Sequence, residues 1–313
     1  MKRRGSVIVA VLVLISLPAV LALIEAVSFY VANRPNGAFV SSGEQREYLL
    51  YVPRSYDPNK PTPLVISLHG AGLWGAAQKE LSQWNEVAEA RGFIVVYPSG
   101  ATGAGPRIWR VDRSAGLMRD VRFISELIDT LQAAYHIDPS RIYANGLSNG
   151  GGMAFVLSCA LSDRIAAVGM VGAAQTLPWS WCTDQRAVPM IAFHGTADPQ
   201  VPYTGGRTWM FPVRFPDVST WVANWARRNR CGMNPAGLVV ARDVTRREYP
   251  NCADDAAVVL YTVQGGGHSW PGGMRLPEWF VGSTSNGVDA TEEMWTFFQA
   301  HPLRLKPRLT APR

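Results

Sequence analysis

The chain predicts an α/β fold: a mostly parallel, doubly wound sheet in a single domain that follows an N-terminal hydrophobic segment. Three observations carry this reading. Short apolar runs alternate with stretches of helical periodicity, the pattern of strand–helix–strand units. One run, Leu64-Val-Ile-Ser-Leu68, is almost continuously apolar, as a central strand covered on both faces must be. A second run, Ile142-Tyr-Ala144, passes through Gly146-Leu-Ser-Asn-Gly150 straight into the apolar stretch 149–161, which reads as a helix. At 313 residues, such a sheet can bury its core within one domain.

The elements follow in order. Residues 33–45 are polar and read as a linker, and the domain proper runs over 46–301. Residues 46–53 alternate like an antiparallel edge strand, and 56–62 form a turn rich in Pro, Asp and Asn. The Leu64 strand ends in His69-Gly-Ala-Gly72. A helix over 78–91 leads to the strand 93–97 and a loop over 98–106. Residues 118–135 form an amphipathic helix with Val121, Ile124, Leu127, Ile128 and Leu131 on one face. Beyond the helix 149–161 come strands at 166–171 and 189–193, and a helix over 217–228. There Trp221 and Trp225 lie one turn apart, a spacing that suits core packing. The strand 258–263 and the helix 291–301 close the domain. Residues 302–313, rich in proline and charge, read as a disordered tail.

The net charge of +6 is misleading as a sign of nucleic-acid binding. Residues 1–36 carry +3 and the tail from Pro302 carries +4, so the body between them is at −1. Lys2-Arg3-Arg4 precedes an uncharged, apolar stretch over 5–24, whose 20 residues match a bilayer's thickness. Residues 1–32 therefore read as a signal peptide or a membrane anchor, and the domain as extracytoplasmic. Any membrane contact is expected only through that segment.

The four cysteines, Cys159, Cys182, Cys231 and Cys252, lack metal-type spacing. An oxidising compartment suggests disulfides with three possible connectivities, the alternative being free buried thiols. The preferred pairing is Cys159–Cys182 with Cys231–Cys252, whose second loop is worth roughly 3 kcal/mol on the chain-entropy account.

The pattern G-x-S-x-G around Ser148 is weak evidence by itself in a chain with 29 glycines, but its place between a strand and a helix sharpens it. A serine on so tight a turn is strained, and its neighbours two residues away on each side need to be bare of side chain. The turn lifts the hydroxyl above the sheet edge, next to the first amides of a helix. An activated serine also needs a base and a group to orient that base. His268, after Gly265-Gly-Gly267 and the last strand, is the candidate base, on a loop flexible enough to swing. His69 and His194 precede glycines at strand ends and are read as loop-shaping, while His136 and His301 sit at helix ends. Asp198, just past the strand 189–193, is the candidate orienter. An Asp-Pro turn is the plainer reading of it, and Asp184 and Asp217 are substitutes. The order Ser148, Asp198, His268 is the one found in α/β-hydrolases. The oxyanion donors are then the backbone amides of Asn149 and, in the loop after the Leu64 strand, Ala71. Trp109, Trp270 and Trp279 are candidates for an aromatic substrate groove, or else pack under loops.

The motifs Leu68-His-Gly-Ala71, Gly146-Leu-Ser-Asn-Gly-Gly151, His194-Gly-Thr-Ala-Asp198 and Gly265-Gly-Gly-His-Ser-Trp-Pro-Gly272 resemble those of the esterase family that includes extracellular polyhydroxybutyrate depolymerases and feruloyl or acetylxylan esterases. The resemblance covers roughly residues 46–301. It implies an α/β-hydrolase fold, export, no cofactor, and hydrolysis of a small-molecule or oligomeric ester through an acyl-enzyme. Ser148, Asp198 and His268 fall on the family's triad positions, and Cys159 with Cys182 resembles a family disulfide. The chain departs from the family at Ala71, where many members have cysteine, and at Arg119-Asp120, where Asp-Asp is common. Polymer-degrading members usually carry a separate binding module, so soluble or small esters are expected over insoluble polyester. A peptidase of the same fold and a non-catalytic binding protein are the competing readings.

Overall fold

The computed structural model describes residues 33–304 apart from 102–105, 113–115, 176, 183–185 and 209–212, together with residues 20, 24 and 31. The rest of the signal-or-anchor segment and most of the tail lie outside the described residues. No helix among those described is long and apolar enough to cross a membrane.

The strands are β1 (Gly37–Ser41), β2 (Glu44–Tyr51), β3 (Thr62–Leu68), β4 (Ile94–Pro98), β5 (Ile137–Leu147), β6 (Ala167–Val171), β7 (Met190–Gly195), β8 (Ala236–Ala241), β9 (Val244–Tyr249) and β10 (Val258–Val263). The helices are α1 (Gly75–Ser82), α2 (Trp84–Arg91), α3 (Leu117–Ala134), α4 (Asn149–Ala160), α5 (Val218–Arg228), α6 (Glu278–Val281) and α7 (Ala290–Ala300). All ten strands join one sheet in the order β1-β2-β4-β3-β5-β6-β7-β10-β9-β8. The six from β4 to β10 are parallel, and antiparallel pairs extend both edges.

Strand periodicity sorts the core into two layers. Leu64, Ile66 and Leu68 of β3 pack with α3, α4 and α5, while Val65 faces the layer built by Leu81, Trp84, Met294 and Phe298 from α1, α2 and α7. Every residue of β3 is buried, as its apolar run required. The active end of the sheet is the carboxyl end of these parallel strands, where β3, β5, β7 and β10 release the loops that hold the site.

Three expectations need correction, and one hairpin adds to them. The segment read as a linker contains β1, which pairs with β2 across a two-residue turn at Ser42 (φ 52°) and Gly43 (φ 77°), so β2 is not at the edge. The stretch 78–91 is two helices broken at Gln83 (φ 54°). Beyond the break, Trp84 is wholly buried against Phe93 and Phe298 and donates its indole N–H to Asn145. The hairpin β8–β9 was not foreseen, since β8 is exposed nearly throughout and shows no in–out alternation. Finally, the tail is held at its start: Leu303 is buried and its N–H bonds to the Ser140 carbonyl at 2.7 Å. The cysteines form Cys159–Cys182 and Cys231–Cys252, the preferred pairing.

Candidate active site

Ser148 caps α4 with φ 55° and ψ −118°, a backbone conformation costly for any residue but glycine. Its neighbours show why the turn can exist. A Cβ on Gly146 would stand 2.3 Å from the Gly150 backbone, and one on Gly150 would stand 2.1 Å from the Leu68 carbonyl oxygen. The Ser148 N–H donates to the Val171 carbonyl at 2.8 Å, which fixes the elbow to the end of β6.

The next residue, Gly172 (φ 52°), lies under the histidine. A Cβ there would meet His268 Nδ1 at 3.0 Å and Asp198 Oδ2 at 3.4 Å. Asp198 and His268 are paired, with Nδ1 to Oδ2 at 2.8 Å and both side chains buried. The second carboxylate oxygen accepts the backbone N–H groups of Gln200 and Val201, each at 2.8 Å. Burial pushes the Asp198 carboxyl up, but the charge and hydrogen bond of His268, then His194 and the Val201 amide, outweigh it and hold the group below its ordinary value. No hydrogen bond joins the Ser148 hydroxyl to the His268 ring among the described residues; such contacts commonly tighten only when substrate is bound.

Of the three glycines ahead of His268, Gly266 and Gly267 serve close packing and Gly265 (φ 71°) a left-handed turn, in place of the swing expected of them. Gly267 N–H bonds to the Ser283 carbonyl, Gly266 accepts from Ala197 N–H, and a Cβ on Gly267 would collide with the Val281 carbonyl at 2.1 Å. The imidazole is thus delivered by a fixed loop.

A cavity of about 560 Å³ opens beside Ser148 and is lined mainly by apolar groups, among them Ala71, Trp109, Val111, Ala174 and Phe215, with Asn149 at the helix start. Ala71 and Asn149 both lie on it, where the sequence put the oxyanion donors. His69 shapes that loop. Its Nδ1 donates to the Gly70 carbonyl at 2.7 Å and its Nε2 accepts the Gly100 N–H at 2.8 Å, which selects the neutral Nδ1–H tautomer. Burial pushes its pKa down to about 4. His194, equally buried, bonds to the Val201 carbonyl at 2.8 Å, and burial lowers its pKa too.

Residues 108–112 form one wall of the cavity, and polar side chains brought together only by folding hold it. The Asn149 amide clamps Trp109 at both backbone atoms, 2.6 Å to N and 3.0 Å to O. Asp120, fully buried on α3, accepts from Arg110 N at 2.8 Å and from Arg46 at 2.7 Å. The Arg46 guanidinium lies 4.0 Å from the Phe123 ring centre. Both arginines also reach Glu44.

Of the tryptophans, Trp109 lines the cavity while donating its indole N–H to the His69 carbonyl. Trp270 does not line it: it is buried in the α1–α7 layer and donates to Thr291 Oγ1, so its place as a substrate contact is corrected to a structural one. Trp279 is 88% exposed on α6. Of the substitute acids, Asp217 caps α5 by accepting from Thr220 N–H, and Asp184 lies outside the described residues.

A family model described as "Esterase PHB depolymerase" matches residues 46–176. NocK of Nocardia uniformis subsp. tsuyamanensis, which is named as an esterase, is 30% identical over 260 residues, covering 75% of this chain and 73% of that protein. The chain belongs to this esterase family. Feruloyl esterase B of Piromyces equi is 31% identical over 231 residues, covering 72% of this chain. The chain spans only 42% of that relative's length. Among solved structures, an acetyl xylan esterase from Aspergillus awamori superposes with a TM-score of 0.55 at 17% identity, over 72% of this chain and 89% of that one. The fold is that of the α/β-hydrolases, and the family is one of carboxylic ester hydrolases.

Proposed function

We propose that the chain is an exported serine esterase acting through a covalent acyl-enzyme. Ser148 Oγ attacks the ester carbonyl carbon while its proton passes to His268 Nε2, and Asp198 holds the imidazole in the Nδ1–H tautomer and offsets its charge once protonated. The amides of Asn149 and Ala71 receive the oxygen that becomes negative. Collapse returns the proton from His268 to the departing alcohol. Water, deprotonated by the same ring, then releases the acid and restores the serine. Trp109 forms part of the wall against which the substrate lies.

The observation that carries this reading is the strained Ser148 elbow opening on an apolar cavity, with the buried Asp198–His268 pair reached through Gly172. Export is supported by two formed disulfides together with the apolar, basic-flanked start of the sequence. The test is Ser148→Ala: p-nitrophenyl acetate hydrolysis and labelling by a fluorophosphonate probe should both vanish with the melting temperature kept. Hydrolysis surviving in that variant would end the proposal.

A further inference from the structure

Close contacts account for three of the glycines around the Ser148 elbow. Gly146 and Gly150 would collide with backbone as described, and a Cβ on Gly151 would come within 2.5 Å of the Ala173 methyl. Gly152 is different. Its φ is not in the left-handed region, and among the described residues a Cβ there would meet nothing nearer than the Val111 side chain at 3.5 Å, an ordinary van der Waals separation. It lies inside α4, where glycine weakens a helix relative to alanine because it loses more backbone freedom on folding. Neither crowding nor dihedral geometry asks for glycine at this position, and helix stability argues against it.

Gly152 also lines the cavity with Ser148. Its N–H donates to the Ser148 carbonyl at 3.0 Å, so it sits one turn along the helix on the reacting serine's own side. A side chain at 152 would therefore enter the space between α4 and Val111. That space belongs to a cavity of about 560 Å³, against roughly 30 Å³ for one water in the liquid. An acetyl group alone would leave most of it empty.

We propose that Gly152 is a specificity-determining residue: its bare Cα keeps the cavity wide enough for an acyl group much larger than acetyl, and so sets the upper size of the acid released. The proposal rests on the serine-esterase reading and deepens it by naming the half of the ester that the cavity takes. Ala71, Trp109, Val111, Ala174 and Phe215 supply the apolar surroundings such a group needs.

The experiment compares p-nitrophenyl acetate with p-nitrophenyl ferulate, which share a leaving group and differ only in the acid. Wild type should hydrolyse both. Gly152→Ala should lower the ferulate-to-acetate ratio of kcat/KM by about tenfold, the scale on which a pocket registers one added carbon. Its melting temperature should hold or rise, because alanine suits the helix better. Gly152→Val should lower the ratio further. An unchanged ratio in folded Gly152→Ala, an equal loss on both esters, or a wild type inert toward the ferulate would overturn the role of Gly152 and leave the serine-esterase reading standing. Turnover surviving Ser148→Ala would overturn that reading, and this inference with it.

Discussion

Asp198 and His268, 70 residues apart in sequence, meet at 2.8 Å, and the carboxylate oxygen that does not touch the ring is held by the amides of Gln200 and Val201. Those two amides pin the carboxylate, so its position does not depend on the histidine. Asp198→Asn should keep much of that scaffold yet present a group that cannot fix the ring's tautomer. The expected loss in kcat is roughly 10⁴-fold, as for the equivalent change in a serine protease. Steady-state kinetics and a melting curve on the same preparation check it. A loss under tenfold would remove Asp198 from the relay.

His69 gives a pH dependence whose sign can be worked out. Its folded pKa is lowered from 6.5 to about 4, first by burial, with the Gly70 bond opposing. Above pH 6.5 both folded and unfolded chains hold it neutral, and it contributes no pH dependence. Between about pH 6.5 and 4 only the unfolded chain takes the proton, so stability falls as pH falls. Below about 4 both forms are protonated and the loss levels off. The whole window is worth roughly 3 kcal/mol. Urea unfolding at pH 7 and pH 4.5 should show the loss in wild type, and His69→Gln should shrink it. An equal slope in both proteins would count against this account.

The Arg46–Asp120 pair is buried on both sides, and Asp120 also carries the Arg110 amide at the cavity wall. Removing Asp120 leaves the buried Arg46 guanidinium with only the Glu44 carboxylate as counter-charge, at 3.5 Å against 2.7 Å for the lost partner. Asp120→Ala is thus expected to cost about 3–5 kcal/mol. Arg46→Met combined with Asp120→Leu should recover a large part of that, since apolar side chains of similar size can replace a buried pair. Denaturant midpoints of the single and double variants decide the matter; a double variant no better than the single one would show that Asp120 acts through Arg110 alone.

The sequence was most legible where one physical demand fixed the residue type. The glycines flanking Ser148 are required by backbone collisions, and the run Leu64–Leu68 is apolar because β3 is covered on both faces. Less was legible where the signal lay in partners distant along the chain. In the sequence Arg46 is only the first residue of a predicted strand and Asp120 only half of the Arg119-Asp120 departure, and folding alone brings them together across 74 positions. Strand β1 was hidden because its exposed side carries Ala38 and Val40 while its covered side carries Gly37 and Ser41, so no in–out alternation marks it, and β8 by exposure on both sides. Trp270 lay inside the most distinctive motif, yet its indole supports the α7 layer and not the cavity, because motif membership does not say which way a side chain turns.

Cys231–Cys252 spans the hairpin β8–β9, whose outer strand buries almost nothing. With so little apolar surface to hold it, the hairpin depends on the covalent link, the antiparallel ladder to β10, and the bond from Gly232 N–H to the Pro250 carbonyl. Opening a loop closed over 21 positions should cost roughly 3 kcal/mol through the unfolded state. In Cys231→Ser with Cys252→Ser, the melting temperature should fall and limited proteolysis should cut first within residues 232–251. The cavity residues lie on other elements, so kcat on p-nitrophenyl acetate should stay within about twofold at temperatures where the variant is folded. Cleavage elsewhere, with residues 232–251 still protected, would show that strand pairing alone secures this edge.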